Sequence, residues 1–94
     1  MDKRILDKMR EKIRDRQYIM TTHAEEEMDE DELTIFDVES VILTGKIIER
    51  QRDEETREHK YLVQGEIVRG SIIAVVVAKF GLTGKLVILT VYIE

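Results

Sequence analysis

Ser71-Ile72-Ile73-Ala74-Val75-Val76-Val77-Ala78-Lys79-Phe80 and, after a short break, Leu86-Val87-Ile88-Leu89-Thr90-Val91-Tyr92-Ile93 are the stretches that decide the fold of this chain. Both are rich in β-branched residues and too short to cross a membrane. Gly81 and Gly84 in the break can take positive φ, which suits a short hairpin loop. Neither run alternates cleanly between apolar and polar. That predicts central strands with both faces at least partly covered, one by helices and the other by a partner.

Working outward, Lys46-Ile47-Ile48-Glu49-Arg50-Gln51-Arg52 reads as an edge strand whose charges discourage edge pairing. Residues 53–57 form a polar turn, and 59–68 a second strand. Gly65 inside it marks a bulge or a close backbone approach. Arg69-Gly70 turns the chain into the core hairpin. Before the strands come helical patterns. Ile5, Leu6, Met9 and Ile13 give a first helix over 2–16 with a narrow apolar stripe and a solvated charged face. Tyr18-Ile19-Met20 reads as an extended link. Thr22-His23-Ala24-Glu25 reads as a capping box opening a brief helix, which ends in the acidic loop 29–32. Thr34-Ile35-Phe36-Asp37 is a second capping box, with Gly45 as the helix stop. The prediction is one α+β domain over 1–94: two to three N-terminal helices packed on a four-stranded antiparallel sheet.

Ninety-four residues support one core, and the absence of cysteine excludes disulfides, thiolate metal sites and thiol nucleophiles. The charged start Met1-Asp2-Lys3-Arg4 and the lack of an 18-residue apolar run predict a cytoplasmic protein without a membrane segment. The net charge of −5 is unevenly spread. Residues 1–17 carry seven bases against four acids, residues 18–40 nine acids and no base, and residues 41–94 eight bases against seven acids. Overall acidity argues against a general nucleic-acid binder, while a local basic patch remains compatible with it.

The candidate chemistry is sparse. His23, in the first turn of a helix, is either a general acid/base or a tether between helix and sheet. His59 reads as exposed and incidental. Tyr61, Tyr92 and Thr90, with Arg50, Arg52, Lys60, Lys79 and Lys85, could give a sheet face that holds a phosphodiester and stabilises its pentavalent charge. From spacing alone, the favoured reading of the same residues is long side chains that keep sheet borders soluble. No phosphate loop, nucleophile elbow or metal-ligand spacing occurs, so no cofactor or metal is expected.

Tyr18-x-x-Thr21-x-His23-Ala24-x-x-Glu27-Met28, Leu33-Thr34-x-x-Asp37-Val38, Val41-Ile42-x-x-Gly45-x-Ile47-Ile48-Glu49, Lys60-Tyr61-Leu62-Val63-x-Gly65 and Val87-Ile88-x-Thr90-Val91-Tyr92 together resemble the domain of unknown function DUF4258. The resemblance covers about residues 18 to 92, with 1–17 as an extra N-terminal helix. That family in turn resembles small toxins of the RelE, BrnT and MqsR type. The resemblance implies a RelE-like fold and a metal-independent endoribonuclease acting on RNA or ribosomes, paired with an antitoxin protein. Carried onto this sequence it singles out His23, Gly45, Gly65, Thr90 and Tyr92. His23 or Tyr92 would be the catalytic acid/base, and Arg50, Arg52, Lys60, Lys79 and Thr90 the RNA-binding set. Glu27 and Asp31 stand where many members carry arginine, which puts carboxylates beside His23. The competing expectation is a non-catalytic interaction module, homodimeric or with another partner, using a sheet face or the acidic segment 25–32.

Overall fold

Apolar side chains recurring at helical spacing place Leu6, Met9 and Ile13 of α1 (Lys3–Arg14) in the core. The structure, a computed structural model, describes residues 3–94, so the first residue of the expected helix, Asp2, lies outside the described residues. The charged face of α1 is largely solvated, but some of its cations turn inward. Arg10 reaches across to α3 (Ile35–Thr44) and donates from Nε to the Ile42 carbonyl at 2.9 Å and from Nη2 to the Gly45 carbonyl at 2.7 Å. A guanidinium thus satisfies carbonyls left open at the helix end and complements the negative pole of its dipole.

After α1 come β1 (Tyr18–Met20), α2 (Thr22–Glu30), α3, then β2 (Lys46–Arg52), β3 (His59–Glu66), β4 (Ile73–Phe80) and β5 (Leu86–Ile93). The last four strands form the antiparallel meander expected, but the sheet has five strands in the order β1-β5-β4-β3-β2 and is mixed. The extended link is the correction: Tyr18, Ile19 and Met20 pair in parallel with Leu86, Val87 and Ile88. Three residues are too few to show a period, and what defines them as a strand is the otherwise unpaired edge of β5.

Helix starts differ from the sequence expectation in one place. The cap of α2 is Thr21, not Thr22: its Oγ1 accepts from the Ala24 amide at 3.1 Å and donates to the Leu89 carbonyl at 3.2 Å. One hydroxyl therefore starts the helix and ties it to β5. The helix runs on through Glu30 into what the sequence suggests is loop. It closes with Glu32 at φ 56°, the Leu33 amide on the Met28 carbonyl and the Glu32 amide on the Asp29 carbonyl. This is a Schellman closure built on a glutamate, which a search for glycine misses. The second capping box is as expected, with Asp37 Oδ2 accepting from the Thr34 amide at 2.9 Å.

Gly45 follows α3 in extended conformation, φ −93° and ψ −166°, rather than as a left-handed stop. Its lack of a side chain matters for packing. A Cβ on Gly45 would lie 2.2 Å from the Gln64 carbonyl oxygen, and one on Gly65 would lie 2.3 Å from that of Val41. The end of α3 therefore crosses β3 backbone to backbone, which is the close approach Gly65 signals; it is not a bulge. The bulges fall at Ile48 in β2 and at Leu89 in β5, each an extra residue against its partner strand.

The core lies between the helices and one sheet face, centred on Met9, Val38, Ile42, Val63, Val76, Leu86 and Ile88. Tyr18 closes its edge by donating to Glu39 Oε2 at 2.5 Å. Burial first, then the hydrogen bond and charge of Glu39, push the Tyr18 phenol up from 10.0 to about 12, with Arg16 opposing. The folded state thus holds this proton more tightly than the unfolded chain. The stability it contributes is full below about pH 10 and disappears as pH rises from 10 toward 12. Urea midpoints measured across that window should fall less steeply for Tyr18→Phe than for the parent chain; superimposable slopes would contradict the assignment.

Candidate nucleic-acid interface

Strand alternation and register assign each candidate side chain to a face. Tyr61 is buried in the core, so the helix side of β3 carries His59, Tyr61 and Val63. The opposite, open side carries Lys60, Leu62 and Gln64. Across the sheet Leu62 faces Val77, Gln64 faces Val75, Val75 faces Tyr92, Val77 faces Thr90 and Lys79 faces Val87. Val75 is 1% exposed yet stands apart from the main core, hidden between Gln64 and Tyr92 on this open side.

The predicted site therefore separates into three parts. Lys60, Lys79, Thr90 and Tyr92 share the open face, with Tyr92 38% exposed. The Lys79 ammonium lies 2.6 Å from Glu58, so its charge is already met by a carboxylate. Arg50 and Arg52 lie on the other side, because they pair with Tyr61 and His59. Tyr61 and Tyr92 accordingly occupy opposite faces. His23 sits off the sheet on α2, its side chain 67% exposed and its Nε2 3.4 Å from Glu27 Oε1. Among the described residues no hydrogen bond joins His23 to Tyr92.

Glu27 has a clear structural task. Its Oε1 accepts from the Val91 amide at 3.0 Å. Beyond the three residues paired by β1, the edge of β5 is satisfied by side chains of Thr21 and Glu27. A carboxylate can accept that amide proton and an arginine cannot.

The structure assembles a group that sequence reasoning left scattered. At the β2–β3 end of the helix side, His59 stacks on Tyr61 with centroids 6.5 Å apart and planes at 24°. Tyr61 meets Phe80 edge-on at 6.4 Å, and the Lys8 ammonium lies 5.2 Å over the Phe80 ring. Arg50 and Arg52 stand cross-strand from the first two rings. His59 is exposed, as expected, and forms the accessible end of an aromatic row bordered by cations. The signal available in the sequence was parity, since 50 and 52, and 59 and 61, must share faces once the hairpin register is known.

The main acidic run lies away from this place, while Glu54 of the adjacent turn stands with Arg52 and Arg57. Sheet order puts β2 at the edge farthest from β1 and β5, against which acidic α2 packs. In the adjacent turn, the amides of Thr56 and then Glu55 hold the Asp53 carboxyl below its ordinary value. That carboxylate is occupied in closing the turn. Glu58 is paired with Lys79. Among the described residues no group of three His, Asp or Glu side chains is placed to hold a metal ion. No helix among them is long and apolar enough to cross a membrane.

Fold and site together define a small α+β domain, with helices on one sheet face and a cation-bordered aromatic row at one end. The model of a family described as a domain of unknown function, DUF4258, matches residues 20–93, and the chain belongs to that family. No curated protein and no solved structure matches it.

Proposed function

We propose that this domain binds single-stranded RNA at the β2–β3 end of its sheet. The observation that carries the proposal is the His59–Tyr61–Phe80 row with Arg50, Arg52 and Lys8 beside it. An exposed ring accepts a base by stacking and the guanidinium groups hold the adjoining phosphates, a combination tolerant of sequence. The toxin resemblance supplies the setting: cytoplasmic RNA or ribosomes as target and an antitoxin as regulator.

Fluorescence anisotropy with a labelled oligoribonucleotide tests this. With three cations engaged, log affinity should fall against log salt with a slope of about −2. Arg50→Ala with Arg52→Ala should weaken binding at least tenfold at low salt and bring the slope to about −1 or shallower. Equal affinity of parent and double variant would reject the site.

A second reading, metal-independent cleavage, is favoured by one observation: Tyr92 and Thr90 share the open face with Lys60 and Lys79. In it Tyr92 or His23 moves the proton and Lys60, joined by Lys79 once it leaves Glu58, meets the developing charge. Incubation with free and ribosome-bound mRNA in chelator, with Tyr92→Phe and His23→Ala alongside, separates the two readings. RNA retained but uncut supports binding alone, whereas cleavage lost in either variant supports catalysis.

A further inference from the structure

At the other end of the molecule, the start of α3 and the loop between β3 and β4 enclose a groove of about 450 Å³. Phe36, Val68 and Ile93 line it and are 62%, 64% and 39% exposed. Three large apolar side chains held so far out of the core contribute little to folding, and all three line one groove. Asp31 and Glu32 line the same groove, with Arg69 as the cation among its lining residues. The walls are fixed to each other, because Asp37 Oδ1 accepts from the Val68 amide at 3.0 Å while Oδ2 caps α3. A groove held open in this way avoids much of the ordering that binding otherwise requires.

Charge identifies the occupant. Residues 25–32 contribute six exposed carboxylates, Glu25, Glu26, Asp29, Glu30, Asp31 and Glu32, and this acidic run leads directly into the groove lip. We infer that the groove docks a basic amphipathic segment of a partner protein. Its apolar residues seat against Phe36, Val68 and Ile93, and its lysines or arginines face the acidic lip. The partner is thus opposite in charge to the ligand bound at the β2–β3 end, and the two sites occupy opposite poles of the domain.

A synthetic amphipathic Leu/Lys helical peptide is the probe, titrated into the full chain and followed by amide NMR. The expected result is saturable shifts confined to residues 31–37, 67–72 and 93. Phe36→Ser and, separately, Val68→Ser should weaken binding at least tenfold, with Arg50→Ala/Arg52→Ala leaving it unchanged. Both positions are mostly exposed, so each variant should melt close to the parent, and either alone suffices if the other unfolds. The inference would be overturned by undiminished binding by both variants, by equal binding of the matching Leu/Glu peptide, or by shifts confined to the exposed face of α2. Groove shifts produced by concentrating the protein alone would also overturn it, since they would make a second copy the occupant.

Discussion

Replacing Gly65 by alanine lowers the melting temperature by on the order of 15 °C, a very large effect for a single methyl group. The added carbon would sit 2.3 Å from the Val41 carbonyl oxygen and 2.9 Å from the Gly45 Cα. These neighbours are backbone atoms at the end of α3, so no side-chain rotation relieves the contact. Overpacking of this kind costs roughly 3 kcal/mol or more, a large part of the stability of a domain this small. Gly45→Ala meets the same crossing from the other side, at 2.2 Å from the Gln64 carbonyl oxygen. Once one alanine has pushed α3 off β3, the second meets less resistance. The double variant should therefore lose less than the sum of the singles. Gly70, with open space around its Cβ position and φ +77°, is the control, costing only the strain of a left-handed alanine. Thermal unfolding by circular dichroism decides the matter; a Gly65→Ala protein melting with the parent would show that α3 does not cross β3 as described.

Asp37→Ala should cost about 2–4 kcal/mol, a loss comparable to that at the glycine crossing. The carboxylate is 9% exposed and serves two elements. Oδ2 accepts from the Thr34 amide at 2.9 Å and the Thr34 hydroxyl at 3.3 Å, and Oδ1 accepts from the Val68 amide at 3.0 Å. Alanine would leave two backbone donors without their partners, one at the start of α3 and one in the β3–β4 loop. Asparagine keeps a single acceptor oxygen, so Asp37→Asn should lose roughly half as much. Urea denaturation gives the magnitude. Hydrogen exchange gives the mechanism, because the Thr34 and Val68 amides should exchange faster together. Unchanged protection at Val68 would mean that the loop is held by other contacts.

Both predictions concern contacts far apart in the chain, which is where sequence reading was weakest. The capping box at Thr34–Asp37 is legible because its partners are three residues apart, yet the other half of Asp37's role, at Val68, is not. Gly65 is legible as an anomaly within a strand, although its partner Gly45 looked like an ordinary helix stop. Arg10 is one charge among many on α1 until Ile42 and Gly45 present their carbonyls.

By itself the sequence determined the order of elements: helices first, then a strand meander closed by the hairpin of β4 and β5. Period and capping are local properties, settled by residues within a turn or two of one another. Tertiary structure decided where the functional side chains face. The single extra residues at Ile48 and Leu89 each reverse the alternation downstream. They put Arg50 and Arg52 beside the helix-side rings, and Thr90 and Tyr92 on the open side. It also decided that Tyr18–Met20 is a strand, because three residues gain that conformation from the edge they pair with.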